Sequence, residues 1–218
     1  ITETNTCKFG LTLNNFVYIN CNYDELENGL DNEFIVLLLQ RYKALALLYN
    51  SYAFFDQIPK YIKKLTIDFN CYDDMNFDNL PDGLLELNIL GEAEGCFDMP
   101  LNNLPPTLER LYISSIHFNQ SLDYLPIGLK SLIILNGAFN QSLDNLPPTL
   151  EYLVIHKYIA PMADVVINSK YFMNLPPSLK VLHVADFMIN KTEKNNLQEY
   201  YKQKNHNLEI IISNSYNL

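Results

Sequence analysis

Apolar residues recur along this chain in a fixed strip, Leu-Pro-x-x-Leu-x-x-Leu-x-Ile, six times over. The prolines are Pro59, Pro81, Pro105, Pro126, Pro147 and Pro176, spaced 22, 24, 21, 21 and 29 residues apart. Within each strip the last two apolar positions, such as Leu132 and Ile134, are two apart and fall on one face of a short strand. Leu129, three before Leu132, is placed at a bend entering it. The proline lacks an N–H and biases its neighbour toward extended backbone, so the return path is expected to be extended or turned rather than helical. Pro-Pro at 105–106, 147–148 and 176–177 stiffens that turn. Further apolar positions recur four before the proline (Phe55, Phe77, Leu101, Leu122, Leu143, Phe172) and eight before it (Phe97, Phe118, Phe139). The Asn and Asp residues between them favour turns.

A repeat of this length cannot bury its own apolar face and must stack on its neighbours. The predicted fold class is therefore an α/β solenoid: a right-handed coil with a parallel sheet on the concave face, a mostly extended or turned convex side, and helical caps at both ends. One domain covers residues 1–218, with an N-terminal cap over 1–50, about six repeats over 51–185 and a C-terminal cap over 186–218. In the first cap, Phe9-x-Leu11-x-Leu13 and Phe16–Ile19 predict a hairpin turning at Asn14-Asn15. Phe34, Leu38, Tyr42, Leu45 and Tyr49 predict a helix over 33–49, N-capped by Asp31 or Asn32. Arg41, Lys43 and its length argue against a membrane span. In the second cap, Thr192 is the expected N-cap of a helix over 193–204 with Leu197, Tyr200 and Tyr201 facing the coil. A last strand is expected over 208–212, with Leu208 and Ile211 echoing the strip.

The strand strip resembles that of leucine-rich repeats. The fuller unit, Phe-Asn-Gln-Ser-Leu at 118–122 and 139–143 with Leu-Pro-Pro-Thr-Leu at 104–108 and 146–150, is similar to the FNIP repeat, a short variant found in amoebae and in giant viruses that infect them. The likeness covers about residues 51–185. The usual Asn after a leucine-rich-repeat strand is replaced here by Ile116 and Gly137, the first two units lack Phe-Asn, and the sixth is longer. Resemblance to this family implies a target-recognition arm of the ubiquitin pathway where an F-box precedes the repeats. No F-box motif is found in the chain, which begins at Ile1.

Net charge is −10. That disfavours a nucleic-acid groove, which needs clustered Lys and Arg, and it keeps an apolar coil soluble. Cys7, Cys21, Cys71 and Cys96 show no metal or redox spacing and read as thiols in a reducing compartment, with a Cys7–Cys21 bridge as the alternative. No secretory signal is present, which points to the cytoplasm (the host's, if the chain is viral). The sequons at Asn119 and Asn140 fall inside the repeat and read as structural.

Residues between the buried ones point away from the core in three rows: Lys64, Glu86, Arg110, Ser131, Tyr152, Val181; Thr66, Asn88, Tyr112, Ile133, Val154, His183; and Asp68, Leu90, Ser114, Leu135, His156, Ala185. Arg110, Tyr112, Ile133, Leu135, Tyr152, Val154 and His156 are the candidate partner-binding residues, because exposed apolar and aromatic patches with arginine mark interfaces. A metal at His156 and His183 would need Asp186 as a third ligand, and no metal or cofactor is assigned. None of the common nucleophile, phosphate-loop or zinc-protease motifs occurs. Asp78, Asp123 and Asp144 sit three before the proline, a structural register. The function expected is a non-enzymatic protein-interaction module. Self-association and, less well supported, glycan binding are the alternatives, without nucleic acid or membrane as partners.

Overall fold

The computed structural model describes residues 8–11, 16–20, 46–49, 58, 60–69, 77–91, 97–135, 139–156, 169–185, 188–204 and 206–213. Ten strands among them form one sheet in chain order. They are β1 (Lys8–Leu11), β2 (Phe16–Asn20), β3 (Ala46–Tyr49), β4 (Lys64–Phe69), β5 (Glu86–Gly91), β6 (Arg110–Ser114), β7 (Ser131–Leu135), β8 (Tyr152–His156), β9 (Val181–Ala185) and β10 (Glu209–Ser213). β1 and β2 pair antiparallel, with Leu11 opposite Val17, as the hairpin pattern predicts. Every later pairing is parallel. The result is a solenoid-like α/β repeat.

Register follows the sequence strip without slippage. Leu65, Leu87, Leu111, Leu132, Leu153, Leu182 and Ile210 form one ladder, and Ile67, Ile89, Ile113, Ile134, Ile155 and Val184 the next, all buried. The extra residues of the sixth unit leave Leu153 opposite Leu182, so the insertion is absorbed on the return path.

The bend before each strand has a definite hydrogen-bonded form. The carbonyls of Pro81, Pro105, Pro126, Pro147 and Pro176 accept from the N–H groups of Leu84, Leu108, Leu129, Leu150 and Leu179 at 2.9–3.0 Å. Each Pro-x-x-Leu is thus a closed turn. Proline suits the first position because its carbonyl is used while its absent N–H is not needed. A second turn precedes it in several coils, for instance Leu125 N–H to Leu122 carbonyl at 3.3 Å. Between turn and strand, one carbonyl of the preceding coil accepts two successive N–H groups. Glu109 takes those of Lys130 and Ser131, and Lys130 those of Glu151 and Tyr152. This doubled acceptance accommodates the spacing of three, rather than two, between Leu129 and Leu132.

Polar residues of the turns bond from coil to coil. Asn103, Asn145 and Asn174 donate to Asp78, Asp123 and Asp144 at 2.6, 2.9 and 2.7 Å. Thr107 and Thr149 donate to main-chain carbonyls of the preceding coil, and Ser178 does so to Leu150 at 2.7 Å. Asn119 accepts from the Asn140 N–H at 2.9 Å, and Gln141 donates to the same oxygen at 3.2 Å. The Phe-Asn-Gln sequence is therefore a ladder element, in keeping with the structural reading of both sequons. Inside it the phenylalanines stack: Phe97 on Phe118 at 5.6 Å and Phe118 on Phe139 at 6.1 Å, nearly parallel.

Several expectations need correction or lie outside the described residues. Ala46–Tyr49, the end of the expected helix over 33–49, is strand β3, held between β2 and β4. The rest of that helix, the Asn14-Asn15 turn and all four cysteines lie outside the described residues. The C-terminal helix, α1 (Lys191–Gln203), is capped by Asn190 and not Thr192. Asn190 Oδ1 accepts from the Glu193 N–H at 2.9 Å, and the Glu193 carboxylate accepts from the Asn190 N–H at 3.0 Å. The reciprocal pair satisfies two orphan donors, which Thr192, already inside the helix, cannot do. Leu197 and Tyr201 of α1 are buried and Tyr200 is partly so. In β10, Leu208 and Ile210 are buried, whereas Ile211 lies opposite His183 on the outer face. Asn190→Ala should destabilise the protein by about 1 kcal/mol, read as a lower denaturation midpoint, while Thr192→Ala should change it by less than half as much.

Candidate interaction surface

The three outer rows exist as the alternation predicts. Lys64, Glu86, Arg110, Ser131, Tyr152, Val181 and Glu209 are successive pairing partners. So are Thr66, Asn88, Tyr112, Ile133, Val154, His183 and Ile211. Asp68, Leu90, Ser114, Leu135 and His156 form the third. Parallel in-register pairing brings Tyr112, Ile133 and Val154 side by side, Leu135 beside His156, and Arg110 and Tyr152 on either side of Ser131.

The depth of these side chains divides them. Arg110 is exposed, and Tyr112, Ile133, Leu135 and Tyr152 are half-buried. Val154 and His156 are buried, at 3% and 4% exposure, and so are His183 and Ala185 in β9. Val154 and His156 are thus not part of an open patch, contrary to expectation. Their neighbours fill the space around them: the His183 ring stands edge-on to His156 with centroids 4.7 Å apart. Nε2 of His183 lies 2.8 Å from Ser213 Oγ, which is in turn 3.5 Å from His156 Nε2. Ser213, brought in by β10, belongs to this polar cluster and was not singled out in the sequence; its placement depends on the last strand's register. Asp186, the third ligand a metal there would need, lies outside the described residues. Among the described residues no group of three or more His, Cys, Asp or Glu could hold a metal ion.

At the other end of the face the rows are ionic. Glu86 accepts from Arg110 Nε at 2.9 Å and pairs with Lys64 at 3.3 Å. Burial by itself would push the Glu86 carboxyl up. The hydrogen bonds and charges of Arg110 and Lys64 outweigh burial and hold it below the usual carboxylate range. Beside it, Glu109 pairs with Lys130 at 2.8 Å, and that bond keeps its carboxyl low. Arg110 is therefore oriented by two carboxylates, Glu86 and Glu109. On the turn side, the bonds from Asn145 and Ser121 lower Asp123, and those from Asn174 and Ser142 lower Asp144. His206, without an assigned partner in the sequence, sits against the Leu179 carbonyl and the Tyr201 ring. Two large apolar residues on the turn side, Tyr124 and Ile127, are the most exposed of the described chain and belong to no predicted row.

These shifts fix the pH response. Burial lowers the His183 pKa, so the unfolded state takes up its proton first as pH falls. Its contribution is complete above the ordinary histidine value of about 6.5 and is lost as pH drops from there through the folded value. The depressed carboxylates act lower, their stabilisation present above about pH 4 and lost as pH falls through their folded values. Denaturation midpoints should decline from about pH 7 to pH 5 in wild type, and decline less in His183→Gln. A midpoint flat over that range would contradict the account.

No curated protein and no solved structure matches the chain significantly. Among the described residues no helix is long and apolar enough to cross a membrane. Residues 118–158 match the family model described as FNIP Repeat. The matched span opens at the stacked Phe118, includes Asn119 and Asn140 of the amide ladder and both Pro-x-x-Leu turns before β7 and β8, and reaches past β8. The same turns and ladders run in register through the neighbouring coils, and within them residues 118–158 are FNIP repeats.

Proposed function

We propose that this chain is a non-enzymatic protein-interaction module, a right-handed coil that holds a protein partner on the outer face of its sheet. Handedness follows from parallel strands joined by crossovers, which twist sterics drive to the right. The observation that carries the reading is the half-open apolar strip of Tyr112, Ile133, Leu135 and Tyr152, set in register across β6, β7 and β8 and bordered by Arg110. Solvent-facing aromatic and aliphatic side chains gain from burial by a partner, and tyrosine and arginine are favoured anchors. Val154 and His156 form the floor beneath such a contact. The carboxylates Asp123, Asp144, Glu86 and Glu109 are engaged in coil-to-coil bonds, which favours a structural over a catalytic role for them.

Family resemblance supports a finer reading: target recognition for ubiquitylation in the cytoplasm, with an F-box or its adaptor supplying the link and, for a giant-virus protein, a host protein as target. Affinity capture from host-cell cytosol, wild type beside a Tyr112→Ala/Tyr152→Ala double variant with unchanged circular dichroism, tests the face. A protein held by wild type alone, and rebinding in purified form, supports it and names the pathway. Equal capture by both removes the sheet face from consideration. A concentration-dependent increase in mass that vanishes in the double variant would favour self-association instead.

A further inference from the structure

The turn side carries registers of its own, and the coil leading into β7 departs from two of them with large apolar residues. Two residues before the proline stand Asn103, Asn145 and Asn174, each donating to an aspartate of the preceding coil. One residue after the proline stand Pro106, Pro148 and Pro177. The coil leading into β7 has Tyr124 and Ile127 at these positions, 67% and 72% exposed. Asn at 124 would face Asn102 of the preceding coil, so the chain gives up a rung of the amide ladder here. It also gives up the stiff Pro-Pro turn. In return it presents two large apolar side chains that add little to the coil's own stability.

Contacts between coils fix what borders them. The Pro106 carbonyl lies 3.5 Å from where a Cβ on Gly128 would stand, and the Thr149 hydroxyl donates to the Ile127 carbonyl. Exposed Pro106 and Pro148 therefore flank Ile127 in the coils on either side, and the apolar surface runs across three coils. Exposed Asp123 precedes Tyr124 directly, and Asp144 holds the same place one coil on. Both carboxyls are kept ionised by the amide ladder.

We propose that Tyr124 and Ile127 anchor a second docking surface, on the turn side, for a cationic peptide segment carrying an apolar anchor residue. Charge complementarity selects this occupant: Asp123 and Asp144 border the apolar pair, and the chain as a whole carries −10. A second copy of the chain would bring the same carboxylates against themselves, which like-charge repulsion opposes. The surface is distinct from the sheet face, so it stands or falls separately from the function proposed above.

The variant Tyr124→Asn/Ile127→Pro tests it without threatening the fold, because both substitutions restore residues the neighbouring coils already use. Its thermal midpoint should equal or exceed that of wild type. A random-peptide phage library is selected on wild type with counter-selection on the double variant, and enriched peptides are measured by fluorescence anisotropy. Enriched sequences should place Lys or Arg beside an aromatic or large aliphatic residue. Their affinity should fall at least about tenfold in the double variant, and it should weaken with added salt and in Asp123→Asn/Asp144→Asn. Failure to enrich any peptide, enrichment of peptides lacking cationic residues, or equal affinity for both proteins would overturn the proposal. A wild-type dimer in sedimentation that the double variant abolishes would overturn it in favour of a second copy.

Discussion

Phe118→Ala should lower stability by about 3–5 kcal/mol, the usual loss for a buried phenylalanine. Phe118 is 0% exposed and lies between Phe97 and Phe139, with both rings nearly parallel to its own. Truncation leaves a cavity that neither neighbour can fill, since each is pinned by its own coil. The backbone of Phe118 cannot settle inward either, because Asn119 next to it is tied to Asp98 and Asn140. In a coil whose units touch only their neighbours, the damaged unit weakens two interfaces at once. Unfolding in urea should therefore shift to a lower midpoint and broaden, as the coils on the two sides of the lesion lose cooperativity. Phe118→Leu keeps most of the volume and should cost less than half as much. A loss under about 1 kcal/mol for the alanine variant would mean that the Phe stack is not a main tie between coils.

The same stack shows why this fold was legible. A 21-residue spacing with apolar residues in fixed places leaves little choice but stacking, and the step of two from Leu132 to Ile134 sets the strand and its inward face. The three outer rows followed from that alternation and pair as expected. Where the pattern does not repeat, it lost its power. The apolar run ending at Tyr49 fits helical spacing, but Ala46–Tyr49 has parallel partners on both sides, Phe16–Tyr18 and Lys64–Ile67. Pairing of that kind overrides local period in a short segment. In β10 three consecutive isoleucines fit either register, and a slip of one exchanges the faces. Both Asn190 and Thr192 can cap a helix; Glu193, three after Asn190, completes the box and decides between them.

The candidate surface was legible in direction but not in depth. Alternation reports which face a side chain takes, and all seven candidates take the outer face. It does not report how closely neighbours crowd that face, so the burial of Val154 and His156 was not readable. The histidine pair with Ser213 required strands from three units to be brought together. Tyr124 and Ile127 could have been found as departures from a register that the neighbouring coils keep.

Tyr201→Phe should cost about 2–4 kcal/mol, more than a single lost hydrogen bond, because one hydroxyl serves two buried main-chain groups. It donates to the Phe172 carbonyl at 2.6 Å and accepts from the Leu175 N–H at 3.0 Å. Phe172 ends the short 3₁₀ helix Ser169–Phe172, and Leu175 opens the Leu-Pro turn leading into β9. Tyr201 is 2% exposed, so water cannot easily replace the hydroxyl, and phenylalanine would leave both groups unsatisfied. Burial, the chief cause, pushes its pKa up to about 12, and the phenol stays protonated as a donor throughout the ordinary pH range. The loss should be local as well as large, since the bond ties α1 to the return path of a single coil. Hydrogen exchange should show α1 and the Leu175 amide losing protection while β5, β6 and β7 keep theirs. Tyr200→Phe is the control: its hydroxyl donates to the Met173 carbonyl at 3.2 Å from a part-buried position, and its loss should cost under about 1 kcal/mol. Equal effects for the two variants, or uniform loss of protection across the sheet, would show that α1 is not fastened through Tyr201.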